Sequence, residues 1–131
     1  MKTWLAVAVV MLAMSAWPAF CEQKSDAPKY DVTKEVTVKG VVEEVVDRNC
    51  PVSGGMGAHL FVKLTDGSSI EIHLAPTKFV KNYELVFAKG DQVEVRGSKV
   101  NFEGKDTIFA RQITRGNDAF VFRDDKGNPV W

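Results

Sequence analysis

From Glu35 onward, apolar residues recur at every second position, and short turn signals interrupt them at regular intervals. This pattern constrains the fold more than any other feature. A period of two sets side chains alternately on the two faces of a strand and cannot build the stripe of an amphipathic helix. "HLFVKLT" puts Leu60, Val62 and Leu64 on one face and His59, Phe61 and Lys63 on the other. After the turn signal "DGS", "SIEIHL" puts Ile70, Ile72 and Leu74 on one face, with Glu71 and His73 opposite. "EVTVKGVVEEVV" alternates at Val36, Val38, Gly40 and Val42, then loses phase at Val45 and Val46. A phase slip beside a glycine predicts a long first strand with a bulge or sharp bend. "QVEVRGSKV" alternates at Val93 and Val95, and "TIFARQIT" supplies a fifth strand. One stretch breaks the pattern. In "PTKFVKNYEL", Pro76 suits a first helical turn, and Phe79, Val80 and Tyr83 form an apolar stripe, so a helix is predicted over 76–85.

Three strands, a helix and two strands is the order of an OB-fold, a small Greek-key barrel. The chain is therefore expected to be all-β: a five-stranded OB-fold barrel over residues 35–114, with one short helix between strands three and four. A long, bent first strand is what lets such a barrel close. The competing architecture is another small β-barrel or sandwich in which 76–85 is a loop. Residues 115–131 read as a hairpin-like strand and turn extension that packs on the barrel through Trp131. Residues 22–34 are polar and read as a flexible lead-in.

The chain opens with Lys2 and the apolar run "WLAVAVVMLAM", and no acidic residue precedes Glu22. That run is too short to span a bilayer and has the layout of a secretory signal. Cleavage is expected after Cys21, with a site near Ser15 as second choice. Phe20 occupies the position where a lipoprotein needs a small residue, which argues against lipidation. The mature protein is expected in the periplasm or secreted, with no membrane span.

Removal of 1–21 leaves Met56 as the one methionine and Cys50 as the one cysteine, beside His59 and His73. Three of these four residues lie in one stretch, "NCPVSGGMGAH". Loss of Lys2 turns 17 basic residues into 16, against 17 acidic ones. Nucleic-acid binding needs a basic footprint, and none is present. "GGMG" lacks the Gly-Lys-Ser/Thr of a phosphate loop. Glu43 and Glu44 are adjacent on a strand, so they point to opposite faces and cannot form a catalytic pair.

"VTVKGVVEEVV", "LFVKLTDGSSIEIHL" and "FAKGDQVEVRGSKV" together resemble the small exported bacterial OB-fold proteins known as the BOF family. The likeness covers about residues 35–114. It implies an exported, ligand-binding or stress-related protein without an established catalytic site. The "NCPVSGGMGA" stretch and the ending in "PVW" depart from that family. A looser resemblance is to periplasmic OB-fold copper chaperones, which use paired methionines where this chain has one.

An antiparallel register with Leu64 opposite Ile70 and Val62 opposite Ile72 sets Lys63 against Glu71 and Phe61 against His73, with His59 diagonal to His73. In an OB-fold this outer face and the loop between strands one and two form the usual binding surface. Cys50, Met56, His59 and His73 are the candidate metal ligands. Thiolate, thioether and imidazole suit Cu(I), and without the methionine the set suits Zn²⁺. Phe61, Lys63 and Phe102 are the candidate ligand-binding residues. If no metal binds, the same surface is expected to hold a protein, glycan or small organic ligand. Thiol chemistry at Cys50 is the least favoured reading, since no C-x-x-C and no third orienting residue is present. A non-enzymatic binding module is the overall expectation.

Overall fold

A computed structural model describes residues 27–131. The predicted export segment 1–21, with its expected cleavage after Cys21, lies outside the described residues. Among those described, no helix is long and apolar enough to cross a membrane.

The elements follow the order that alternation predicts, with one addition. They are β1 (Glu35–Cys50), β2 (Gly55–Leu64), β3 (Ser69–Pro76), α1 (Thr77–Asn82), β4 (Gln92–Phe102), β5 (Lys105–Arg115) and β6 (Asp118–Val121). They form one sheet of six strands in the order β3-β2-β1-β4-β5-β6, with a further pairing of β3 to β5. The expected count of five is corrected to six. The extra strand comes from the C-terminal segment, which pairs Asp118–Val121 along the second half of β5. Every pairing is antiparallel except β3 to β5, which is parallel at Glu71–His73 and Thr107–Phe109.

The phase slip in the first strand is a β-bulge between Val42 and Glu44. Before it, β1 pairs with both β4 and β2; beyond it, β1 continues only along β2. Gly40 lies where the two pairings overlap. A Cβ there would clash with the backbone carbonyl of Lys63 and reach within 2.6 Å of Val62 Cγ1, so only glycine lets the strands approach this closely. The apolar face is buried as a single core containing Leu60, Val62, Ile70, Ile72, Val93 and Val95, with Ile108, Ala110, Ile113 and Phe122 beside them.

Two expectations about the hairpins are corrected. "NCPVSGGMGA" is not a long loop. The β1–β2 ladder runs out to Cys50 opposite Gly55, leaving only residues 51–54 as the turn. The β2–β3 register is also two residues from the expected one, with Val62 opposite Ile70, Leu60 opposite Ile72 and Lys63 opposite Ser69. The cause is a tighter turn. Leu64 N–H donates to Ser68 O, Gly67 takes a positive φ of 88°, and Asp66 Oδ1 accepts from the Ser68 amide. A slip of two keeps every side chain on its expected face while changing its partner. The Lys63–Glu71 pair is thereby lost, and His59 comes directly opposite His73.

The helix forms within the predicted span, with Pro76 as its N-cap rather than inside it. Trp131 is half-buried against the core cluster, its ring centroid 6.1 Å from that of Phe79.

Candidate metal centre

The face of β2 and β3 that carries the histidines is also buried. His59 is 2% exposed and His73 5%. The expected open binding face is thus a closed one. Phe109 on β5 and Phe102 on β4 both lie with ring centroids 5.3 Å from that of His73. The turn after Cys50 adds Val52, which lies in one cleft with Phe109 and the lead-in residues Ala27 and Pro28.

Strand alternation decides which side chains reach this space. In the β1–β2 ladder, Cys50 faces Gly55, Arg48 faces Gly57 and Val46 faces His59. Residues in register share a face, as do residues two apart, so Cys50, Arg48 and His59 point the same way. Asn49 and Met56 form the intervening pair and point to the other face. Met56 is 53% exposed and stands apart from the buried donors. The candidate set of four is brought together only as three.

Those three converge. Cys50, His59 and His73 each offer a donor atom, and the atoms all lie within 4.8 Å of one another. Cys50 Sγ is 3.5 Å from His73 Nδ1. Zn–S near 2.3 Å and Zn–N near 2.0–2.1 Å, at a tetrahedral angle, hold two donors about 3.5 Å apart. The imidazole rings stand 4.0 Å apart between centroids, tilted by 34°.

Glu71 organises the histidines from behind. Its Oε1 lies 2.7 Å from His59 Nδ1 and 3.5 Å from His73 Nε2. Arg48 pairs with the same oxygen. His73 Nε2 lies close to that oxygen but is buried without a hydrogen bond. For His59 the carboxylate at hydrogen-bond distance from Nδ1 holds the proton there and frees Nε2, the arrangement found behind metal-bound histidines. Freed in this way, His59 Nε2 is buried with no hydrogen-bond partner. Such an atom is costly unless something binds it. The space beside it is held open by Gly57. A Cβ at that position would sit 3.2 Å from His59 Nε2, 3.1 Å from Cys50 Cβ and 2.8 Å from Ser53 Oγ. The donor set, the orphaned nitrogen and the vacated cradle all fit a metal ion.

Burial lowers the pKa of His59 from 6.5 to about 4, and the adjacent Arg48 charge adds to the shift. Burial lowers that of His73 to about 3, helped by His59 and Arg48. Both rings are therefore neutral at physiological pH, the form that binds metal.

The other candidates are placed differently. Phe61 is half-buried opposite Glu71, with Arg48 Cζ 5.9 Å from its ring centroid. Lys63 is exposed, away from the cluster. Phe102 edges onto His73. Glu71 and Arg48 were missed as site residues. Alternation puts Glu71 on the face of His73, but the expected register pairs it with Lys63, whereas the observed one sets it opposite Phe61.

The model of the MamS/MamX magnetosome protein family matches residues 34–120. That family stands in place of the bacterial OB-fold and copper-chaperone groups which the sequence resembles. Among curated proteins, no sequence matches the chain.

Proposed function

We propose that this chain, which belongs to the MamS/MamX magnetosome protein family, is a non-enzymatic binding protein for a soft or borderline metal ion, Zn²⁺ or Cu(I). Cys50, His59 and His73 are the ligands, and Glu71 with Arg48 orients the histidines. The observation that carries the reading is the convergence of three buried donors on one point, with His59 Nε2 unpartnered there. One thiolate and two imidazoles suit both ions, and a three-ligand set leaves one coordination position for water or an exogenous ligand.

The pairings run from β1 through β2, β3, β5 and β4 back to β1, which supports an OB-like barrel beneath the site. Export by the 1–21 segment is part of the same proposal, and so is service at the magnetosome that gives the family its name. Burial of both histidines disfavours the metal-free alternative, because a protein or glycan needs contacts that it can reach.

Titration with Zn²⁺ and Cu(I), using competing chelators, tests the proposal. Wild type is expected to bind one ion, with Cys50→Ser and His73→Ala each weaker by more than about 100-fold, since loss of an outer partner alone costs about 10–100-fold. Equal affinity in all three proteins would refute it.

A further inference from the structure

A second feature lies between the lead-in and the C-terminal segment. Four of the five arginines pair with carboxylates: Arg48 with Glu71, Arg96 and Arg111 with Glu35, and Arg115 with Asp91. Arg123 has no such partner among the described residues, although it is only 8% exposed. Its guanidinium lies between two aromatic rings, 5.1 Å from the Tyr30 centroid and 5.0 Å from that of Trp131. Nη1 donates to the Gly127 carbonyl at 2.9 Å. Nε is buried without a partner. An arginine cannot shed its charge to relieve this burial.

Arg123 lines a cleft of about 400 Å³, together with Lys29, Lys126 and Phe109. The nearby acids are turned elsewhere. Asp124 accepts from the amides of Lys126 and Asn128 within its own turn, and Asp125 acts on Arg111. The cleft thus presents three cations and no free carboxylate among its described walls.

We propose that this cleft binds a small oxyanion, a carboxylate or phosphate group, with Arg123 as the buried anchor and Lys29 and Lys126 as rim charges. A guanidinium edge matches both groups by paired N–H···O bonds. The Tyr30 and Trp131 rings hold that plane in advance, so little ordering remains to be done on binding. The cleft adjoins the metal centre through Val52 and Phe109 but shares none of the proposed metal ligands.

The test is an NMR titration of the protein with inorganic phosphate and with acetate, at ionic strength held constant with chloride. The Gly127 amide and the Trp131 indole N–H are the reporters. Saturable shifts with either anion are expected; phosphate alone would assign a phosphoryl ligand, and acetate alone a carboxylate. Arg123→Lys keeps the charge and loses the fork, and should weaken binding by at least about tenfold. Lys126→Glu should also weaken it and serves if Arg123→Lys fails to fold. Shifts that do not saturate, or unchanged affinity in a folded Arg123→Lys or in Lys126→Glu, would overturn the proposal.

Discussion

His59 and His73 face each other directly across β2 and β3, with ring centroids 4.0 Å apart. Two buried imidazoles this close cannot both carry a proton without strong repulsion. They sit instead as neutral rings with Glu71 behind them and Cys50 at their open side.

Acid should therefore destabilise the metal-free protein. The unfolded chain takes up a proton on each histidine as pH falls through about 6.5, whereas the folded protein resists until about 4 for His59 and about 3 for His73. This contribution is fully present above about 6.5 and is lost progressively as pH falls towards 3. The slope approaches about 1.4 kcal/mol per pH unit for each histidine. Urea denaturation between pH 4 and 7 measures it, and a double His59→Gln/His73→Gln variant should flatten the dependence. An equally steep fall in the double variant would place its source elsewhere.

Glu71→Gln keeps the shape behind the rings and removes the charge. Metal affinity should fall by about 10–100-fold while the fold persists, because the carboxylate fixes the His59 tautomer and raises that ligand's basicity. Arg48, which loses its partner, is 44% exposed and can turn to water. Chelator competition with circular dichroism as the fold control would reveal an unaltered affinity, and with it a merely structural Glu71.

Gly57→Ala should uncouple binding from folding. The added methyl occupies the space beside His59 Nε2 and Cys50 where bonds of about 2.0–2.3 Å must close. Metal affinity should drop, while stability changes by less than about 1 kcal/mol, since reduced backbone freedom offsets the tighter contacts. Wild-type affinity in this variant would show that the cradle is not where the ion sits.

Met56→Leu should leave Zn²⁺ and Cu(I) affinity within about twofold of wild type. The thioether is on the opposite face of β2 from His59 and half exposed. Calorimetric titration of both ions decides it, and a large loss for Cu(I) alone would mean that the hairpin turns over on binding.

Gly40→Ala should destabilise the fold by about 1–3 kcal/mol, the usual cost of overpacking. The new methyl meets the Lys63 carbonyl and Val62, and backbone cannot yield as a flexible side chain can. Denaturant midpoints report the loss; no change would mean that β1 and β2 can part at the bulge without penalty.

The all-β class, the sequence of elements, the bulge in β1 and the division of each strand into two faces were legible in the chain. Each follows from a period of two and from local turn residues, which act through neighbours along the backbone. The same alternation set His59 with Phe61 on one face of its strand and Glu71 with His73 on one face of the next, whereas Cys50 falls in a stretch that reads as a loop. Register was not legible at this level. A shift of two residues preserves every face, so hydrophobic pattern cannot distinguish Lys63–Glu71 from Phe61–Glu71. The compact turn at Asp66–Gly67 made that choice and brought His59 opposite His73. Nor does alternation report what covers a face. Phe102 and Phe109 arrive from β4 and β5, and the β1–β2 ladder extends through "NCPVSGGMGA", which composition reads as loop. The sequence by itself determined the donor types and the faces of the two histidines; tertiary structure decided the face of Cys50, the distances, the burial and the exclusion of Met56, because these depend on pairings between strands rather than on neighbours along the chain.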